Sequence, residues 1–400
     1  MNHHNITIIG AGIVGLATGL KILEKNPDLK ILIIEKEDKV AKHQTGNNSG
    51  VIHSGIYYKP GSLKAVNCRK GYDMLLQFCD EHDVQYDICG KVITATSEDQ
   101  LPYLDNLFER GIANGLTGLK KLTEAELKEI EPHVKGIAGI QVHQTGIIDF
   151  LEVSKKYAEV LQSKGVEIRL NETLLDIKVK VGGCEVITNK STHSTDYVVT
   201  CAGLQSDRVA KLTHPDLPLR IIPFRGEYYK LKKEKRSLVN NLIYPVPDPA
   251  FPFLGVHFTR MIDGEVEAGP NAVLSFKREG YTKTSFSAKD TFETFTWPGF
   301  IRIAGKFMKT GLGEFYRSYS KAAFVRALQK LIPEITADDL VPGGAGVRAQ
   351  ACDKNGGLLD DFYFAESERV FHVCNAPSPA ATSSLSIGEH IAEKLLKRFS

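Results

Sequence analysis

The stretch Ile6-Thr-Ile-Ile-Gly10-Ala11-Gly12-Ile13-Val14-Gly15-Leu16, near the start of a 400-residue chain, decides the fold. Ile6 to Ile9 form a short apolar run that stops at glycine, and Leu16, Leu20 and Leu23 then recur at helical spacing. The reading is strand, tight turn, helix. A second apolar run, Ile31 to Ile34, ends in Glu35, 20 residues past Gly15. Gly10 serves the turn, Gly12 lets backbone N–H groups approach a pyrophosphate, and Gly15 lets the helix pack on the strand. Glu35 accepts from ribose hydroxyls. Glycine-rich turns also arise for structural reasons alone, but strand, helix and acid at the expected offset occur together here, which makes this a dinucleotide site. Glu35 repels a 2′-phosphate and so argues against NADP.

Outward from that unit, the length suggests two or three domains, and 42% hydrophobic residues suffice for real cores. Fifty Lys and Arg against 48 Asp and Glu give +2, with the cations scattered, so no footprint for nucleic acid is present. The seven cysteines contain no C-x-x-C pair, which fits neither a disulfide framework nor a zinc site, and no metal is expected. The start carries no signal-peptide pattern, and no run approaches the ~18 apolar residues of a membrane span. A cytoplasmic protein is the expectation.

The segments beyond Glu35 separate FAD from NAD. An NAD dehydrogenase of this fold adds further βαβ units; here the loop His43 to Gly55 is rich in glycine and amides, and residues 85 to 149 mix strand-like and helical stretches without a second fingerprint. Parallel-strand signals return at Gly165 to Arg169, Tyr197 to Cys201 and Val370 to Cys374. Amphipathic helices are expected around Val153 to Leu161 and from Ser384 through Ile387, Ile391 and Leu395. The last helix starts at a serine-rich cap whose dipole suits the anionic N1–C2=O end of a reduced flavin. The fold class is α/β, a Rossmann-type FAD-binding domain interrupted by a second, α+β substrate domain with a mixed or antiparallel sheet. The FAD domain is placed at 1–84, 146–219 and 341–400, and the substrate domain at 85–145 and 220–340.

Six stretches together resemble the L-2-hydroxyglutarate dehydrogenase/oxidase family, within the D-amino-acid-oxidase/glycine-oxidase superfamily. They are Gln44 to Tyr58, Phe224-Arg-Gly-Glu-Tyr-Tyr229, Gly255-Val-His-Phe-Thr-Arg260, Gly269-Pro-Asn-Ala-Val273, Gly346-Val-Arg-Ala-Gln350 and Asn375 to Ser384. The resemblance implies oxidation of L-2-hydroxyglutarate to 2-oxoglutarate by hydride transfer to FAD, with electrons passed to a quinone or another acceptor. It also implies non-covalent FAD held by Gly10, Gly12, Ile13, Val14, Gly15, Glu35, Lys36, Thr45, Asn48, Ser49, Gly50, Leu174, Cys201, Ala202, Gly203, Arg348, Ala380, Ala381, Thr382 and Ser383. The chain departs from the family pattern at Asn47, often His, and at Ser54, often Ala, which leaves His53 as the loop's candidate.

Oxidising an alcohol beside a carboxylate needs a hydride acceptor, a base and cations. His53 is the favoured base and His257 the runner-up, since imidazole suits neutral pH. Arg260 and Arg348 are the first choices as carboxylate anchors because the guanidinium fork matches a carboxylate; Arg225 and Arg302 come second. Tyr58, Tyr228, Tyr229 and Asn271 can add hydrogen bonds. Cys201 and Cys374 end β-branched runs and read as small buried hydrophobes rather than flavin attachment points. Residues 292–321 interleave aromatics with cations; they read either as a surface resting on an anionic membrane, which makes a quinone the natural acceptor, or as aromatics packed on the substrate domain. An amine oxidase of the glycine or sarcosine type and a non-catalytic flavin-binding redox protein are the competing readings.

Overall fold

A computed structural model describes residues 3–248 and 254–399. The first strand, β1 (His3–Ile9), pairs in parallel with β2 (Ile31–Ile34) on one side and with Thr192–Thr200 on the other. Glu167–Arg169 extends this parallel core beyond β2, and Val370–Asn375 extends it beyond Thr192–Thr200. Every residue of β2 is buried, as a strand covered on both faces requires. A hairpin, Leu174–Lys180 with Gly183–Thr188, and the antiparallel strand Tyr363–Glu366 complete eight strands.

Helix α1 (Ile13–Lys25) comes directly after the first turn, and its Leu16, Leu20 and Leu23 pack on Ile6, Ile8 and Ile33. Gly10 takes a φ of +103°, and a side chain at Gly15 would overlap the Gly10 carbonyl oxygen. The closing helix Ser384–Leu396 lies against α1, where a Cβ on Gly388 would come within 2.7 Å of the Ala17 backbone. Helices Leu63–Glu81 and Phe150–Ser163 join the same core through Leu75 and Tyr157.

The second sheet has nine strands around Leu219–Leu231, most of them antiparallel. Lys91–Ala95 and Leu242–Pro245 are parallel neighbours in it, and His257–Arg260 is antiparallel to Leu242–Pro245. The interrupted arrangement read from the sequence is therefore the observed one. The expected boundary at 341 moves. Leu340–Asp353 pairs with Leu219–Leu231 from Leu340 opposite Leu231 to Asp353 opposite Leu219, so the return to the first sheet comes after 353 and not at 341.

The two parts are clamped by buried charge. Arg278, 2% exposed, holds both carboxylate oxygens of Asp207 and donates to the Leu204 carbonyl at 2.9 Å. Asp207 lies in the short helix Ser206–Ala210 just past the end of Thr192–Thr200, so the pair ties the first sheet to the segment that leads into helix Ala288–Phe295.

Candidate active site

A cavity of about 1140 Å³ runs from the carboxyl ends of the parallel strands to the face of the second sheet. At one end α1 begins at Gly12, which no side chain caps, and the Ile13 N–H donates to Thr45 Oγ1 at 3.2 Å. Glu35 is fixed by two backbone donors, Ala11 at 2.8 Å and Glu37 at 3.0 Å. Lys36 Nζ bridges Glu37 at 2.6 Å and Glu279 at 2.9 Å. Glu37, His43 and Glu279 bring ligand atoms within 4.8 Å of one another, but the ammonium groups of Lys36 and Lys42 already neutralise these carboxylates.

This end fits the FAD pyrophosphate on a specific observation. Gly12 has a φ of −76°, open to any residue, and a Cβ there would meet only Thr45 Oγ1, at an ordinary 3.6 Å. The protein itself does not need glycine at this position. A pyrophosphate lying against the backbone does. At the other helix terminus Ser383 is the cap, yet its hydroxyl makes no capping bond and is buried without a partner. The serine cap expected from the sequence is therefore not made; the Ser383 and Ser384 N–H groups donate instead to the Pro379 and Ala381 carbonyls, at 2.9 and 3.2 Å, in the turn that leads into the helix.

Most sequence candidates meet at the cavity: Gly10, Gly12, Ile13, Val14, Glu35, Lys36, Thr45, Asn48, Ser49, Leu174, Cys201, Ala202, Gly203, Arg348, Ala380 and Ala381 line it, as do His53, Tyr58, Tyr228 and His257. Gly15, Gly50, Thr382 and Ser383 stand behind that lining. Gly50 makes a turn at φ +62°, and Thr382 Oγ1 accepts from the His53 N–H at 3.1 Å. The Cys201 and Cys374 thiols are both pushed up to about 12 by burial, so neither is a thiolate at neutral pH.

Two expected anchors are corrected. Arg260 does not line the cavity and pairs with Asp87 at 2.6 Å, because residues three apart on a strand face opposite ways and His257 has taken the cavity side. Asn271 is buried in a structural network, its Oδ1 accepting from the Glu227 N–H at 2.8 Å and its amide donating to Glu227 Oε2 at 3.1 Å. The second-choice arginines are also placed elsewhere: Arg225 pairs with Glu227 at 2.8 Å, and Arg302 donates to the Lys354 carbonyl at 3.1 Å. Tyr229 packs on Phe324.

The far end of the cavity is dense in imidazole, phenol and cation. Burial, with the nearby Lys91 charge adding to it, pushes His53 down to about 3; burial pushes His257 to about 4. Both rings are neutral at pH 7 and keep a lone pair. His257 Nδ1 lies 2.9 Å from the Gly255 carbonyl, which only accepts, so the proton sits on Nδ1 and Nε2 is the basic nitrogen. The same ring lies over Tyr244, 4.0 Å between centroids. His53 Nε2 is 3.3 Å from Ser378 Oγ. Burial raises the Tyr228 phenol to about 12, keeping it a neutral donor. The sequence reading missed Tyr57, Tyr244 and Lys91. The available signal was Lys91 heading the buried strand Lys91–Ala95, on the same face as Ile93 and Ala95.

The family model for FAD dependent oxidoreductases matches residues 5–394. L-2-hydroxyglutarate dehydrogenase of Indibacter alkaliphilus is 57% identical over 98% of this chain and 99% of its own. The mitochondrial L-2-hydroxyglutarate dehydrogenase of Nematostella vectensis is 45% identical over 99% of this chain and 91% of its own. Among solved structures, L-alpha-glycerophosphate oxidase from Mycoplasma pneumoniae, with FAD bound, has a TM-score of 0.81 at 23% identity, covering 99% of this chain and 95% of that one, which shows the shared fold. The chain belongs to the FAD-dependent oxidoreductase family and, within it, to the L-2-hydroxyglutarate dehydrogenases.

The fit of the pyrophosphate end gives a direct expectation. Gly12→Val should purify folded and without flavin, because the backbone there accepts a Cβ without a clash and a pyrophosphate lying against it does not. Visible absorbance and far-ultraviolet circular dichroism check this; full flavin content in the variant contradicts it.

Proposed function

We infer that the protein oxidises L-2-hydroxyglutarate to 2-oxoglutarate, with FAD accepting the hydride. The observation that carries this reading is the far end of the cavity, where Arg348, Tyr228 and two neutral imidazoles converge, as a 2-hydroxy carboxylate requires. The high identity to relatives named for this activity supports the choice of substrate.

FAD, when bound, supplies the hydride acceptor. Arg348, on Leu340–Asp353 opposite Phe224, takes the carboxylate next to the reacting carbon as a bidentate partner, and the neutral Tyr228 phenol donates beside it. His53 takes the hydroxyl proton. Its neutral ring and its tie to Thr382, at the start of the closing helix, support this, because that helix terminus suits the flavin pyrimidine edge. The second reading gives the proton to His257, favoured by its fixed tautomer; His53 then orients the substrate.

The electrons then need an acceptor, for which we propose a membrane quinone. The support is helix Pro298–Tyr319, kinked at Phe307: past the kink Met308, Leu312, Tyr316 and Tyr319 are exposed at helical spacing, and Ile301 before it and Phe292 and Phe295 of the preceding helix are exposed as well. The same helix carries Lys306 and Lys309, and its Phe300 and Ile303 are buried. Such a surface suits peripheral contact with the cytoplasmic face of an anionic membrane. No described helix is long and apolar enough to cross one.

Each part of this reading has its own measurement. Arg348→Ala should lower kcat/KM by roughly 30- to 1,000-fold, the loss of a charge-assisted carboxylate contact. Near-normal kinetics move the anchor elsewhere. For the base, kcat/KM of the wild type should hold down to about pH 5, since both rings stay neutral there, and stopped-flow reduction of His53→Ala should lose the limiting rate by ~10²- to 10⁴-fold. If His257→Ala shows that loss instead, the second reading is the right one. For the membrane, Met308→Asp combined with Leu312→Asp should reduce co-sedimentation with phosphatidylglycerol vesicles by about 10-fold or more while dye-linked turnover is unchanged. Equal sedimentation of variant and wild type rejects these residues as the contact.

A further inference from the structure

Buried cations in this molecule have anions. Arg278 has Asp207, Arg225 has Glu227, and the Lys64 ammonium lies 2.8 Å from Asp360. Lys91 is the exception among the described residues. It is 2% exposed on the strand Lys91–Ala95, whose five residues are all buried, and no carboxylate pairs with it. Its Nζ lies against aromatic faces, 4.3 Å from the Tyr57 ring centroid and 5.1 Å from that of Tyr244; both rings line the cavity, and the lysine stands directly behind them. Cation–π contact offsets only part of the desolvation of an ammonium.

Nothing around Lys91 supplies negative charge at neutral pH. Burial pushes the Cys68 thiol up to about 12 and raises the Tyr57 and Tyr244 phenols, and His53 and His257 are neutral bases. Burial leaves the Lys91 ammonium itself at about 7. A second orphan lies beside it: the Tyr57 hydroxyl is buried and has no hydrogen-bond partner. A methionine on this strand would pack as well without the charge, so the lysine is not there for stability.

We propose that Lys91, with the Tyr57 hydroxyl, receives the carboxylate of the substrate farthest from the reacting carbon and so selects diacids over 2-hydroxy acids with an apolar tail. This rests on the L-2-hydroxyglutarate reading, and it assigns that substrate's two carboxylates to different groups: Arg348 holds the one beside the hydroxyl, Lys91 the distal one. The incoming anion restores full charge to the ammonium and gives the phenol its acceptor.

Lys91→Met and Lys91→Gln holoenzymes test the assignment with two substrates of equal chain length, L-2-hydroxyglutarate and L-2-hydroxypentanoate, and with glutarate as a non-reacting probe. The variants should keep FAD and be at least as heat-stable as the wild type at neutral pH. With L-2-hydroxyglutarate, kcat/KM should fall on the order of 10²- to 10³-fold, mostly through KM, while with L-2-hydroxypentanoate it should change less than about 3-fold. Glutarate should raise the melting temperature of the wild type and not of the variants. Equal losses with both substrates, or an unchanged preference for the diacid, overturn the proposal. A wild type that binds glutarate through Lys91 but is not reduced by L-2-hydroxyglutarate would refute the substrate reading and leave the diacid site standing.

Discussion

The contact between the start of α1 and the Gly10 carbonyl positions much of the site. Because Gly15 has no side chain, α1 leaves β1 without a gap and its first turn faces the cavity. The closing helix then seats Gly388 on Ala17, and that docking puts Thr382 and Ser383 at the cavity's rear wall. Thr382 in turn holds the backbone of His53. One run of close packing thus connects the pyrophosphate end of the cavity to an imidazole at the reacting end.

Charge is the second constraint. A dinucleotide and a diacid together bring several negative charges into one cavity between two sheets. The protein meets them with the start of α1 at one end and with Arg348 at the other, and Lys91 stands behind the Tyr57 and Tyr244 rings of the lining. Elsewhere its buried lysine and arginines are paired internally, as Arg278 is with Asp207 across the two parts. The contrast between a paired structural arginine and an unpaired lysine buried behind two cavity rings separates holding the fold from holding a ligand.

The nucleotide-binding part was legible in the first fifty residues because its geometry requires particular residue types at particular offsets, and Gly10, Gly12, Gly15 and Glu35 satisfy them. The late boundary was not, since Pro342-Gly343-Gly344 reads as a break while the backbone runs on as part of Leu340–Asp353. Arg260 was misread through motif proximity; strand alternation from His257 would have turned it outward. Lys91 was missed because a lone lysine at a strand's start reads as solvated; its place on the face of Ile93 and Ala95 was the one signal, and the packing of Tyr57 and Tyr244 over it completes the burial.

Hydride transfer from a 2-hydroxy diacid to FAD is read without intermediaries in the visible flavin spectrum of the wild-type holoenzyme under anaerobic titration. L-2-hydroxyglutarate should bleach the oxidised flavin with one equivalent per chain and yield 2-oxoglutarate, while glycine and sarcosine leave the spectrum unchanged. A flavin left oxidised by L-2-hydroxyglutarate, or one bleached by the amines instead, contradicts that chemistry.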